Sequence, residues 1–152
     1  MKTRSRISAV ANEKRRAKRE KRPHEGVYAR LSPSRIHGVG VKAIRRIPKG
    51  MSIFPDDDEE ITWIAEDEIQ KVPSELRRLY SDFCIVDARK REYGCPRSFN
   101  HLTVAWYLNR PKLGRKPNVG CRRNYTFYAL CDIKPGEELT VDYATYSAPS
   151  RI

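Results

Sequence analysis

Three short groups of residues have types and spacings suited to chemistry. Gly38-Val39-Gly40 lies between two strand-like runs. Two glycines one residue apart let a ligand approach the backbone and meet its amide groups, and they serve equally in a plain tight turn. Trp106-Tyr107-Leu108-Asn109-Arg110-Pro111 sets a carboxamide beside aromatic rings at the end of an apolar run. There an Asn acts either as a helix C-cap or as a ligand group. Glu137-Glu138-Leu139-Thr140-Val141-Asp142-Tyr143 ends on an acid and a phenol, the latter a packing group or a group facing a reactant. No third glycine or Gly-Lys-Ser/Thr follows Gly40, and no helix begins there, which speaks against dinucleotide and phosphate-loop nucleotide binding. His24, His37 and His101 stand far apart without a Ser, Cys or Asp at nucleophile-elbow spacing, so no hydrolase triad is written. Metal-ligand spacing is absent as well.

The elements that must position these groups are short. Val27–Leu31, Val39–Ile44 and Met51–Phe54 read as strands, and Ala65–Val72 as a short helix closed by Pro73. Ser74 fits an N-cap, with Leu76, Leu79 and Tyr80 on one helical face. Phe83–Asp87 reads as a buried strand and Leu102–Leu108 as a short apolar helix. Val119, Tyr125–Leu130 and Glu138–Val141 complete a second β-rich half. The segment from Ala43 to Ile53 is echoed in type from Ala129 to Leu139, each reading as strand, Pro/Gly turn, strand. The long alternating helices of a parallel α/β sandwich are missing, so the fold class is mainly β, an α+β body of small sheets with few short helices.

A length of 152 residues suits one domain, and a hydrophobic fraction of 39% suits a core of modest size. With 31 Lys/Arg against 19 Asp/Glu the formal net charge is +12, unevenly spread. Residues 1–22 hold ten basic residues and two acids, a net charge of +8. Residues 1–23 lack the apolar content to bury a face, which predicts a disordered arm or a solvated helix ending before Pro23. Such an arm suits nucleic-acid contact with steep salt dependence, a place in cis on an acidic patch, or solubilisation. The patch in question spans residues 55–69, with eight acids and no Lys or Arg; it reads either as a dock for a basic substrate or as a solvated loop. No run approaches the ~18 apolar residues of a membrane span, and no apolar segment of a secretory signal follows the basic start. Cys84, Cys95, Cys121 and Cys131 form no CxxC motif. Free thiols in a reduced, intracellular protein are expected, whether cytoplasmic, nucleoid-associated or nuclear, with a secreted disulfide protein as the alternative.

Taken in order, the motifs resemble the SET domain of protein lysine methyltransferases, in a minimal form without zinc-binding flanks. Ser34-Arg35-Ile36-His37-Gly38-Val39-Gly40-Val41-Lys42-Ala43 is similar to the family's opening GxG strand, and Ile47-Pro48-Lys49-Gly50 to the turn after it. Ile85-Val86-Asp87-Ala88 resembles the strand ahead of the central motif. Tyr107-Leu108-Asn109-Arg110-Pro111, with Pro117-Asn118, takes the place of the aromatic-x-Asn-His-Ser motif, and Asp132 to Tyr143 resembles the family's most specific signature. With the basic arm that composition marks over residues 1–25, the resemblance implies a SET domain over residues 26–147 and leaves a short tail over residues 148–152. It implies a C-terminal pseudoknot and S-adenosyl-L-methionine as cofactor, held by Gly38, Val39, Gly40, Tyr107, Asn109 and Arg110. Tyr143 would be the catalytic phenol, Val141 and Tyr146 would border the substrate channel, and no metal would be needed. The expected substrate is a basic protein or peptide such as a histone-like protein, with nucleic acid contacting residues 1–22 and no membrane partner. Arg110 and Pro111 stand where the family usually has His and Ser, and Pro111 offers no N–H. The alternative is therefore a SET-like binding module without turnover that uses its arm on nucleic acid.

Overall fold

Val41 and Ala43 alternate with Lys42 along one strand, and this alternation turns two apolar side chains inward while the lysine stays outside. The computed structural model, which describes residues 21–152, pairs this strand, β2 (Val39–Ala43), with β1 (Ala29–Pro33) in an antiparallel hairpin running from Ala29↔Ala43 to Pro33↔Val39. The far edge of β2 is taken by a two-residue strand from the C-terminal half, Glu138–Leu139, through Val41↔Leu139. A second antiparallel sheet has the order β3 (Thr62–Ala65), β5 (Glu92–Cys95), β4 (Ile85–Asp87). A third pairs β6 (Val119–Cys121) with β7 (Phe127–Ala129), which makes Glu138–Leu139 β8. The basic arm up to residue 20 lies outside the described residues.

Two α-helices link β3 to β4. In α1 (Glu66–Gln70) the acids Glu66, Asp67 and Glu68 fill the first turn, where they complement the helix dipole. Buried Glu66 is paired with the Arg91 guanidinium at 3.1 Å. In α2 (Ser74–Phe83) Pro73, not Ser74, holds the N-cap position, because the Ser74 hydroxyl is turned to the Glu75 carboxylate at 3.0 Å. Tyr80 and Leu79 are half-buried, but Leu76 is 53% exposed, so the apolar face is narrower than its spacing predicts. Phe83 closes α2 instead of opening the following strand. The apolar run before Asn109 forms only a 3₁₀ turn, Val104–Tyr107.

The internal echo is a structural one. Ile47 and Ile133 exchange both backbone hydrogen bonds at 2.9 Å. The Ala43 amide donates to the Glu137 carbonyl and the Gly136 amide to the Ala43 carbonyl; in the other copy the Ala129 amide donates to Met51 and the Gly50 amide to Ala129. Each turn thus docks on the other copy's strand. Gly50 and Gly136 sit at φ of +83° and +85°, the left-handed corner that a Pro/Lys-Gly turn requires. Met51–Phe54 is not a full strand: it meets β7 through the Ser52↔Tyr128 bridge and the Ile53 amide to the Phe127 carbonyl. Ala43, Ile47, Ile53, Ala129, Ile133 and Leu139 from the two copies form most of the main core, joined by Ala29, Val41, Leu108, Val119 and Val141. A second cluster of Ile69, Cys84, Val86, Tyr93 and Cys95 lies under α1 and the second sheet.

The C-terminal segment threads between two others. Thr140 accepts from the amides of Asn118 and Val119, and the Val141 amide donates to the Asn109 carbonyl. The Asn118 side chain clamps the same segment, receiving the Thr140 amide at 2.8 Å and donating to the Glu138 carbonyl at 2.9 Å. This is the expected pseudoknot. Beyond it, Ala148 and Ile152 pack on the second cluster, and the Tyr93 hydroxyl accepts the Arg151 amide at 3.0 Å. All four cysteines are free thiols. No helix of the described residues is long and apolar enough to cross a membrane.

Candidate functional site

Parallel bridging to Thr140 fixes the backbone of Asn109, which is 9% exposed, and leaves its carboxamide facing the glycine strand. Its Nδ2 lies 3.1 Å from the carbonyls of both His37 and Val39, 3.2 Å from Glu138 Oε1 and 3.3 Å from Ser34 Oγ. Two carbonyl acceptors require the nitrogen to point this way, so the orientation of the amide is set by chemistry. Ser34 closes the loop: its hydroxyl donates to Glu138 Oε1 at 2.7 Å and accepts the amides of Ile36 and His37. Gly38 and Val39 are exposed, whereas Gly40 is buried. A Cβ on Gly40 would stand 2.2 Å from Glu138 Oε1, so a side chain there would push that carboxylate off its bonds to Ser34 and Asn109; the φ of Gly40 plays no part.

One residue earlier, the Leu108 carbonyl accepts the hydroxyl of Tyr143. The backbone that carries the ring is fixed by Asp142, which caps the N-terminal end of the turn Tyr143–Thr145 by accepting the Ala144 amide. The Arg110 guanidinium lies 5.0 Å from the Tyr143 ring centroid, and Tyr146 meets that ring edge-on at 6.2 Å. Tyr146 in turn packs on Phe127 at 5.8 Å. Burial raises the Tyr143 hydroxyl above the ordinary tyrosine range, with Arg110 opposing it, and burial raises Tyr146 more strongly.

These rings open on a cavity of about 370 Å³. Tyr143, Tyr146, Phe54, Trp106, Tyr125 and Phe127 supply its aromatic wall, and Asp57, Glu59, Asp82 and Arg110 its charged groups. Two of the acids are fixed: Asp57 accepts the Thr103 hydroxyl and Glu59 the Trp106 indole N–H, both at 2.7 Å.

The expected residues therefore separate into two groups on either side of the peptide from Leu108 to Asn109. Gly38, Val39, Gly40 and Asn109 meet on one side, and Tyr143, Tyr146 and Arg110 line the cavity on the other. Arg110, expected along the cofactor pocket, lies by the Tyr143 ring and lines the cavity. Tyr107 does not itself line the cavity but packs its ring edge-on at 5.6 Å against Phe83, which does. Val141, expected at the channel, is fully buried in the main core beside Val119 and does not line the cavity. The spacing of motifs left Ser34, Glu138 and Trp106 unmarked. No local signal marked Glu138, because its approach to Gly40 depends on the pairing of β8 with β2, where its register partner is Lys42.

Comparison with known proteins agrees with this geometry. The sequence matches the SET domain family over residues 38–144. The crystal structure of a candidate histone methyltransferase from Plasmodium falciparum superposes with a TM-score of 0.52 at 19% identity, covering 77% of this chain and 93% of that one. A humanized Chaetomium thermophilum Polycomb Repressive Complex 2 bound to the inhibitor GSK343 gives a TM-score of 0.56 at 22% identity, covering 80% of this chain but 16% of that one. At these identities the likeness establishes the fold. No curated protein matches the sequence. With the family's motif regions brought together around one threaded C-terminal segment, this chain belongs to the SET domain family.

Proposed function

We propose that the chain is an S-adenosyl-L-methionine-dependent protein-lysine N-methyltransferase acting on a basic protein. The observation that carries this reading is the meeting of two devices on consecutive residues. Asn109 ties its amide to the glycine strand, while the Leu108 carbonyl holds the Tyr143 hydroxyl at the aromatic cavity.

The residues around Asn109 suit the amino-acid end of such a cofactor. Nδ2 has two hydrogens for four nearby oxygens, so the oxygens keep capacity to accept from an ammonium group. Asn109 Oδ1 accepts nothing from the described residues and is a further acceptor. Gly38, Val39, Gly40 and Asn109 would hold that end, with open space where a Cβ on Gly38 would sit. When bound, the cofactor supplies a methyl group on a positive sulfur, which a neutral amine can take.

The chain's own task is to position the amine, which gives up its proton to water before it reaches the phenol. A lysine has a pKa of about 10.4 in water, and its protonated form is no nucleophile. Desolvation against the aromatic wall and the like charge of Arg110 act against the ammonium form at the phenol. The Asp57, Glu59 and Asp82 carboxylates of the same lining attract the charged lysine to the cavity. Tyr143 stays neutral, and with its proton committed to Leu108 its oxygen lone pairs are free to orient the amine. Tyr146, backed by Phe127, would narrow the channel. Methyl transfer is assigned to residues 26–147, tail packing to residues 148–152, and salt-dependent nucleic-acid contact to the basic residues of 1–22.

Incubation with labelled S-adenosyl-L-methionine and a mixture of basic proteins tests the assignment. Label on lysine that vanishes in Tyr143→Phe is the expected result. Absence of cofactor binding by calorimetry, with salt-sensitive DNA binding retained, would overturn it in favour of a binding module.

A further inference from the structure

The described chain begins on the acidic run. Lys21 forms an ion pair with Asp56, although both side chains remain about half exposed. The same contact packs around Gly26, where an added Cβ would meet Asp56 and Lys21 at 2.9 and 3.2 Å. From Asp56 the acids lead into the cavity, since Asp57 and Glu59 line it together with Asp82, against Arg110 as the cation of that lining. Asp58 and Glu60 have no ion-pair or hydrogen-bond partner of their side chains among the described residues. Just before Lys21 the sequence runs Lys14-Arg15-Arg16-Ala17-Lys18-Arg19-Glu20.

We infer that the basic run of residues 14–22 docks in cis along Asp56–Glu60 at the edge of the cavity, where it competes with any basic peptide brought to the same groove. Charge complementarity and the anchor at Lys21 support this occupant over a second molecule. Three residues of extended chain reach on the order of 10 Å, so Lys18 is within reach of the acids that follow Asp56. A tethered segment also acts at an effective concentration in the millimolar range, which a free peptide must exceed. Because the acids are largely exposed, the contact weakens as salt screens it. The inference rests on the cavity being the acceptor-peptide site proposed above, but its test requires neither turnover nor cofactor.

A fluorescent peptide of residues 1–22 is titrated against the full chain and against the full-length K14Q/R15Q/R16Q/K18Q/R19Q variant, with binding read by anisotropy at low salt. With its own arm neutralised, the variant should bind the peptide at least about five-fold tighter than the unaltered chain, consistent with release of an intramolecular competitor. Adding D56N/D58N/E60Q should remove the gain. These three acids are chosen because Asp57 and Glu59 carry bonds of the fold. Equal affinity for both chains, or a gain that survives loss of the acids, would overturn the proposal. As a second measurement, carbodiimide treatment of the unaltered chain should link arm lysines to Asp56–Glu60 to the same extent across a wide dilution series. Links that fade with dilution would show contact between molecules and sink the cis arrangement. A chain that fails to transfer methyl groups yet passes both tests separates failure of the proposed activity from failure of this contact.

Discussion

The hydroxyl of Tyr143 is bonded to the carbonyl of Leu108, the residue next to the carboxamide that grips the glycine strand. This bond fixes the phenol ring at a cavity wall while leaving its oxygen able to accept. Tyr143→Phe removes the bond and the acceptor but keeps the ring. The expected outcome is a loss of methyl transfer of about 10²-fold from misplacement of the amine, with a stability loss of only about 1 kcal/mol. Kinetics on a basic substrate and urea unfolding read the two effects separately.

At Asn109 the nature of the substitute matters more than its size. Asn109→Asp would turn a carboxylate towards the carbonyls of His37 and Val39 and towards Glu138, acceptor against acceptor. Asn109→Ala merely leaves those oxygens short of a donor. The Asp variant should be the less stable of the two by about 2 kcal/mol in urea unfolding near neutral pH. Neither should bind the cofactor measurably by calorimetry.

Gly40 and Glu138 should behave as a coupled pair. Gly40→Ala puts a methyl group where the Glu138 carboxylate lies and forces it off the Ser34 hydroxyl. We expect a loss of about 2 kcal/mol for the single variant. In Glu138→Ala the same change should cost at least about 1 kcal/mol less, a non-additivity read from a double-mutant cycle.

Burial of Tyr146 gives stability a dependence on alkaline pH. Its folded-state pKa is raised, first by desolvation and then by Tyr143, Cys121 and Asp142, with Arg110 acting the other way. Above the ordinary tyrosine range near ~10 the unfolded chain loses this proton while the folded one keeps it. The unfolded state then binds fewer protons, so stability falls as pH rises, and the contribution is intact below that range. Tyr143, also raised, adds in the same direction. Tyr146→Phe should flatten the decline in unfolding midpoint between about pH 9 and about pH 11.

The paired isoleucines of the two echoing segments should carry similar weight. Ile47 and Ile133 are both fully buried and bonded to each other's backbone. Truncation of either to Ala should cost about 2–5 kcal/mol, whereas Leu76→Ala on the exposed side of α2 should change stability by less than about 0.5 kcal/mol. Parallel urea titrations check the contrast.

Much of this body was legible in residue order alone. Alternation in Val39–Ala43 marked a strand and the Pro and Gly of two echoing segments marked their turns, whereas Asn109 and Tyr143 acquired their roles only through the resemblance to the SET family. Local backbone preference and hydrophobic period act over a few residues, so they survive in a one-dimensional reading. Long-range pairing does not. Met51–Phe54 has strand composition but only one bridge because β7 is short, and Leu76 matches a helical face yet finds no neighbour to bury it. Tertiary structure alone decided that Val141 belongs to the core, that Arg110 sits over Tyr143, and that Leu108 and Asn109 divide the two halves of the site. The reason is physical. Thr140 and Val141 must find hydrogen-bond partners in two segments at once, Thr140 at Asn118 and Val119 and Val141 at Asn109. That threading sets which side of each neighbouring residue faces the cavity.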